Sequence, residues 1–325
     1  MLSLIVPVYK NEANMDRLLA ELAQLSHRLT GLEVVFVVDG SPDRCYEILE
    51  DRLPNAPFRS QVLLLSRNFG SFAAVAAGLE AARGEFFAVM AADLQEPPEL
   101  VEHFFSLLTQ DRADVVFGFR RSRSDPYFSR LASTAFWSLY RRFVIHDMPE
   151  GGVDAFGCNR MVRDRVLQFH ESNTNLIALL FWMGYRREYV GYERQPRTEG
   201  VSAWTFQKKL QYSLDSIFNF TDLSIQVLLY FGSAALVLSV IGGLAVLIAK
   251  LSDSITVSGY TATVLAILFF GAVTSLGLGI VGQYLWLTLQ NTRARLNYIV
   301  QRSSSHASAT SIAPPPDQQA HSKSV

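Results

Sequence analysis

Two acidic turns, each following a short apolar run, hold the residues best suited to chemistry. In Val38-Asp39-Gly40-Ser41-Pro42-Asp43 a carboxylate stands at a glycine turn. At a strand end it can accept from a nucleobase N–H or a ribose hydroxyl, as an acidic residue does in dinucleotide folds. In Ala91-Ala92-Asp93-Leu94-Gln95-Glu96-Pro97-Pro98-Glu99 the first acidic residue comes just after an apolar run. Desolvating a lone carboxylate is expensive. A hard divalent cation, bound by carboxylate and amide oxygens and shared with substrate phosphates, is the usual compensation. Such an ion neutralises a departing diphosphate, which is Lewis-acid help to a leaving group. A third turn, Pro7-Val8-Tyr9-Lys10-Asn11-Glu12, is expected to face the Asp39 turn and to complete a pocket for a flat polar base.

Positioning these turns requires a regular scaffold, and the sequence supplies one. Apolar runs at 2–7, 33–38, 61–65, 85–90 and 115–118 read as strands; the stretches at 14–29 and 72–82, and one starting at Glu99, read as helices. Alternation of this kind with fully apolar strands predicts an α/β domain with a parallel sheet covered on both faces. Ligands of such sheets bind outside the carboxyl ends of the strands, so the turns at Asp39 and Asp93 should line one crevice.

The rest of the chain has a different character. Charged residues are 18 % of the 325 residues, against roughly a quarter in soluble domains, and hydrophobic ones reach 49 %. The imbalance lies in residues 223–292, where Lys250 and Asp253 alone are charged. The stretches 225–249 and 261–289 each exceed the ~20 residues that cross a bilayer core as a helix. They predict a transmembrane hairpin, with Lys208, Lys209, Arg293, Arg295 and Arg302 outside it and only Lys250 in its loop. The basic bias places both ends in the cytoplasm. Segments 124–144 and 204–220 have aromatic apolar faces edged with Arg and Lys, as suits helices lying in a membrane interface. Residues 1–222 thus form a cytoplasmic domain and 223–302 the hairpin, while 303–325, rich in Ser, Ala, Pro, Gln and His, read as a disordered tail. A net charge of −1 argues against a nucleic-acid partner. Cys45 and Cys158 have no metal-ligand spacing and read as reduced structural thiols.

Pro-Val-Tyr, Asp-Gly-Ser-x-Asp, Ser66-Arg67-Asn68-Phe69-Gly70 and Ala-Asp-Leu-Gln-Glu-Pro-Pro-Glu occur in this order. On these motifs residues 1 to about 300 resemble the polyprenyl-phosphate glycosyltransferases of glycosyltransferase family 2, which include dolichol-phosphate mannose synthases and bacterial undecaprenyl-phosphate glucosyltransferases. The resemblance implies a GT-A (Rossmann-like, mostly parallel) fold and an inverting transfer from a nucleotide-sugar, a UDP-hexose, to a polyprenyl phosphate. The setting it implies is the bacterial inner membrane, among membrane lipids, in cell-envelope glycan synthesis. Relatives assemble through the membrane region, which leaves a homo-oligomer open for this chain.

Carried over by position, Pro7, Tyr9, Glu12, Asp39, Ser41 and Arg67 hold the donor nucleotide. Asp93 and Gln95 match metal or diphosphate contacts, with Mg2+ or Mn2+ as the ion. Arg120 and Arg123 match basic residues near the phosphates, and Arg130 an acceptor-phosphate contact. Asp154 resembles the family's aspartate near the reacting centre, and Arg197-x-x-Gly200-x-Ser202-x-Trp204 the loop that closes over both substrates. The resemblance casts Asp154, Asp93 and Arg120 as the catalytic set. A lipid phosphate is mostly dianionic at neutral pH and needs no strong base, so cations should dominate: Arg120, Arg123, Arg130 and Arg197. The family usually has Asp-x-Asp where this chain has Ala91-Ala92-Asp93, and Val38 stands where an acidic residue or Asn is frequent. A processive polysaccharide synthase is rejected, because Gln290-Asn291-Thr292-Arg293-Ala294 lacks that group's Trp and follows the last span. The alternative from another class is a catalytically inactive scaffold that binds nucleotide-sugar and lipid carrier.

Overall fold

The computed structural model describes residues 1–121, 148–149, 153–169, 175–195 and 259–292, four single positions (230, 234, 237 and 241), and 296–309. Its first half alternates as the sequence predicts: β1 (Leu2–Val8), α1 (Met15–Arg28), β2 (Leu32–Val38), α2 (Cys45–Arg52), β3 (Arg59–Leu65), α3 (Ser71–Ala81), β4 (Phe86–Val89), α4 (Pro98–Thr109) and β5 (Val115–Arg120). There follow β6 (Val153–Asn159), α5 (Arg160–Val166), α6 (Leu176–Trp182), β7 (Arg187–Tyr192), α7 (Tyr260–Thr292) and β8 (Val300–His306).

All eight strands join one sheet in the order β7-β5-β6-β4-β1-β2-β3-β8. β2 is buried along its whole length, as a central strand covered on both faces must be. Its side chains alternate between two cores, because successive residues of a strand point to opposite faces. Val34, Phe36 and Val38 pack with Leu18, Leu22 and Leu25 of α1 and Phe104 and Phe105 of α4. Val35 and Val37 pack with Ala74 and Ala77 of α3 and Leu180 of α6. The alanine-rich α3 lies so close to β1 that a Cβ on Gly78 would meet Ile5 Cγ2 at 2.4 Å.

The parallel sheet expected from the alternation is corrected to a mixed one, which stays mostly parallel as the family resemblance implies. β1 pairs in parallel with β2 and β4, β2 with β3, and β5 with β7. Antiparallel β6 lies between β4 and β5, and β8 runs antiparallel along β3. The tail expected from 303 is likewise corrected at its start. Leu64 pairs with Arg302 and Ser60 with His306, and the Ala309 N–H donates to the Ala56 carbonyl at 3.0 Å. An edge strand is held through its backbone and needs no apolar side chains, which is why Val-Gln-Arg-Ser-Ser-Ser-His gives no strand signal.

The expected interfacial helices, 124–144 and 204–220, lie outside the described residues, as does most of the first expected span. The second span falls in α7, a single helix of 33 residues with no Asp, Glu, Lys or Arg. Ile267, Leu278, Val281 and Leu285 on it are all more than half exposed. Only part of its side chains is described, and among the described residues no helix is long and apolar enough to cross a membrane.

Candidate active site

The expected site residues that are described gather at one end of the sheet, where β1, β2, β3, β4, β5 and β7 finish and the antiparallel β6 begins. The site has two halves.

The first half is built on β1, β2 and β3. Pro7 pairs with Val37 inside the sheet, and Tyr9 follows it half-buried. The Ser41 hydroxyl accepts from the Lys10 N–H at 2.7 Å and donates to Asp43 Oδ1 at 2.6 Å. The Glu12 N–H donates to Asp43 Oδ2 at 3.1 Å, and Glu12 Oε2 accepts from the Arg44 N–H at 3.0 Å. Burial pushes the Asp43 carboxyl up, but hydrogen bonds from Ser41, Cys45 and Glu12 outweigh it and leave the group below its ordinary value.

Asp39, 3 % exposed, accepts from the N–H groups of Phe69 at 2.7 Å and Gly70 at 2.9 Å. Burial raises its carboxyl above the ordinary value, against the pull of those two N–H groups and of Arg67. Gly40 has φ +56°, and a Cβ there would strike the Arg67 carbonyl carbon at 2.2 Å. Only glycine lets the β2 turn and the Ser66–Gly70 loop lie this close. The Arg67 guanidinium stacks 4.0 Å from the Phe69 ring centroid. Glu12, Asp39, Ser41 and Arg67 therefore lie on adjoining loops, which Glu12, Asp39 and Ser41 knit together.

In the second half, Asp93 Oδ1 accepts from the Gln95 N–H at 3.3 Å, and Glu96 Oε2 from the Ala91 N–H at 3.3 Å. Leu94 between them has φ +53°, a left-handed conformation uncommon outside glycine. Gln95 and Glu96 are buried, 7 % and 5 % exposed. Burial first, then the charges of Asp154 and Asp93, push the Glu96 carboxyl up to about 7.

Arg120, on β5, donates from Nη2 to Asp154 Oδ1 at 2.8 Å and from Nε to Oδ2. Tyr192, the last residue of β7, donates its hydroxyl to Asp154 Oδ2 at 3.0 Å. Arg120 is raised above its ordinary value although burial opposes it, because Asp154 holds the charge. Burial, then Asp154 and Glu96, keep the Tyr192 hydroxyl protonated. Just beyond, Arg194 Nη2 donates to Gln95 Oε1, and the Gln195 N–H donates to the Gln95 carbonyl at 3.0 Å.

Arg123, Arg130, Arg197 and Ser202 lie outside the described residues. Tyr192 and Arg194 had no place among the expected site residues, because β7 (Arg-Glu-Tyr-Val-Gly-Tyr) carries no apolar alternation that would reveal a strand ending at the site. The nearest signal was sequence proximity to Arg197.

Among the described residues no group of three or more His, Cys, Asp or Glu is disposed to hold a metal ion. Asp93 fits an ion that keeps most of its ligands from water and substrate phosphate, which needs only one or two carboxylates. Gln95 fits less well, since its amide oxygen already faces a guanidinium.

The model of glycosyl transferase family 2 matches residues 3–170. An uncharacterised glycosyltransferase of Synechocystis is 31 % identical over 304 residues, 92 % of this chain and 94 % of the relative. One from Bacillus subtilis is 30 % identical over 93 % of each chain. A prophage-derived bactoprenol glucosyl transferase of Shigella flexneri is 28 % identical over 93 % of this chain and 98 % of its own length.

Proposed function

The chain belongs to glycosyl transferase family 2, and on that premise we propose that it moves a hexose from a UDP-sugar to a polyprenyl phosphate such as undecaprenyl phosphate at the cytoplasmic membrane face. The observation that carries this reading is the shared end of the sheet. Ile299 accepts from the Ser66 N–H at 3.0 Å and Val300 pairs with Leu65, so the chain leaving α7 at Thr292 reaches the sheet beside the donor loop within eight residues. α7 is about 50 Å long at 1.5 Å per residue. On the sequence expectation of a hairpin at 225–249 and 261–289, the shared end of the sheet would lie beside the lipid surface that supplies the acceptor. The bactoprenol named in the Shigella relative is an acceptor of this chemistry.

The nucleoside rests on the Tyr9, Asp39 and Arg67 rim, and its diphosphate extends toward Asp93. A phosphate oxygen of the lipid attacks the anomeric carbon. The bond from that carbon to the diphosphate oxygen breaks, the configuration inverts, and the nucleoside diphosphate leaves with the electron pair. The attacking group is already an anion at neutral pH, so Asp154 acts as a fixed carboxylate, aimed by Arg120 and Tyr192, that orients a sugar hydroxyl. Arg123, Arg130 and Arg197 draw the two phosphates together, and Arg is shaped for bidentate phosphate contact. A divalent cation, Mg2+ or Mn2+, held at Asp93 would neutralise the leaving diphosphate.

The test incubates membranes carrying the full chain with undecaprenyl phosphate and labelled UDP- and GDP-sugars, with and without Mg2+ or Mn2+. Label passing into the organic phase from a UDP-hexose is the expected result. Nucleotide binding without transfer from any donor would sink the enzyme reading in favour of the scaffold.

A further inference from the structure

Three features of the second half point to a role for a residue outside the family motifs. The β4–α4 loop carries Ala91 where a second carboxylate is usual, so its acidic side chains are Asp93 and the buried Glu96. A side chain just beyond β7 then reaches it: Arg194 donates to Gln95 Oε1, while the neighbouring Gln195 N–H holds the Gln95 carbonyl. Arg17 Nη2 in turn donates to Gln195 Oε1 at 3.4 Å. The exit of β7 is thereby stitched onto the loop at both backbone and side chain.

The partner of Arg194 also differs from those of two other arginines on or beside β5 and β7. Arg120 is matched by Asp154, and Arg186 by Asp111 and Asp114. The hydrogen-bond partner of Arg194 among the described residues is a neutral amide. A guanidinium has five N–H donors in a fixed fork. One of them anchors it to Gln95, and the remainder suits bidentate capture of a phosphate. Its charge reaches the loop, being one of the influences on Glu96.

We propose that Arg194 binds the donor diphosphate as a fixed cation on the Asp93–Glu96 loop, taking over part of the charge neutralisation that a two-carboxylate metal site provides. The proposal rests on the transferase reading above. It makes donor binding only partly dependent on a divalent ion, since one positive charge is covalently part of the site.

The experiment is calorimetric titration of the detergent-solubilised full chain with UDP and with GDP, each in Mg2+ and in EDTA, for wild type, Arg194→Gln and Arg194→Lys. The wild type should keep measurable affinity for one of the two nucleotides in EDTA. Arg194→Gln should weaken that metal-free binding roughly 10- to 100-fold, the usual worth of a hydrogen bond to a charged group. Lys should recover part of the loss, and millimolar guanidinium ion added to Arg194→Gln should recover some of it as well. A merely structural Arg194 predicts no such rescue. Unchanged metal-free affinity in Arg194→Gln overturns the proposal, as does a loss that neither Lys nor guanidinium relieves. A wild type that binds neither nucleotide in either buffer instead overturns the transferase reading, and Arg194 falls with it.

Discussion

At the ends of β1, β2 and β3 the carboxylates of Glu12, Asp39 and Asp43 accept from main-chain N–H groups, whereas at the ends of β4 to β7 Asp154 meets an arginine fork and a tyrosine hydroxyl. The partners in the first half are turn backbones that have to be satisfied wherever they are buried. In the second half Asp93 and Glu96 still accept from N–H groups of their own loop, but Asp154 on β6 is held by side chains of β5 and β7, and Glu96 sits buried within the reach of two other carboxylates. The first half thus uses acidic residues to fix the shape of a pocket. The second keeps Glu96 under electrostatic strain, the condition in which a site can answer to a bound phosphate or cation. Acidic residues in motifs of similar appearance therefore have different duties, and substitution should separate them.

The largest effect should come from Asp154→Asn. It removes the charge that Arg120 and Tyr192 hold in place, and turnover should fall about 10²- to 10³-fold, the scale for a preorganised electrostatic group. The affinity for UDP should stay within about threefold. Transfer kinetics beside a nucleotide titration check both halves of that statement, and full retained turnover would remove Asp154 from the reaction. Asp39→Ala should do the reverse. Leaving the Phe69 and Gly70 N–H groups without their acceptor costs about 2–3 kcal/mol. That lowers the thermal midpoint by about 4–10 °C in a domain of this size. A variant that melts like the wild type would show that the two loop N–H groups do not depend on Asp39 and would erase the contrast.

The two halves also differed in how far the sequence revealed them. The first is carried by consecutive motifs after apolar strands, and period and turn chemistry were enough to place Tyr9, Asp39 and Ser41 together. The second depends on β6 and β7, where Val-Asp-Ala-Phe-Gly-Cys-Asn and Arg-Glu-Tyr-Val-Gly-Tyr mix polar residues and glycine into strands that pair antiparallel or at an edge. Strand identity there is set by tertiary pairing rather than by local propensity. Asp154 could be found by its likeness to a family motif, but not its bond to Tyr192, since the two are joined only by the order β7-β5-β6. β8 was hidden for the same reason.

Glu96 gives the strain in the second half a pH signature. Its folded value of about 7 lies above the ordinary 4.5, so the folded state holds this proton more tightly than the unfolded chain. The stability it contributes is complete below the unfolded carboxyl value and is lost as pH rises through about 7. At about 1.4 kcal/mol per pH unit the loss is on the order of 3 kcal/mol. Glu96→Gln, neutral at every pH, should flatten the thermal-midpoint profile between about pH 4.5 and 7 and melt above the wild type at pH 8. Scans in EDTA keep bound cations from contributing. Parallel profiles for the two proteins would mean that Glu96 is ionised without penalty and that the second half is not strained.

Tyr192→Phe is the gentlest probe of the same region. It deletes one hydroxyl and keeps the ring that closes the end of β7, so the fold should be unaffected. Arg120 still holds Asp154 at two points, and the lost bond is worth about 1 kcal/mol. Turnover should therefore fall only about 3- to 10-fold, with UDP affinity and donor KM unchanged, because nothing in the first half touches the phenol. A fall as deep as that of Asp154→Asn would mean that the hydroxyl itself meets the reacting groups. No fall at all would mean that the arginine fork alone aims the carboxylate, and that β7 bears on the reaction through Arg194 and the loop that follows it.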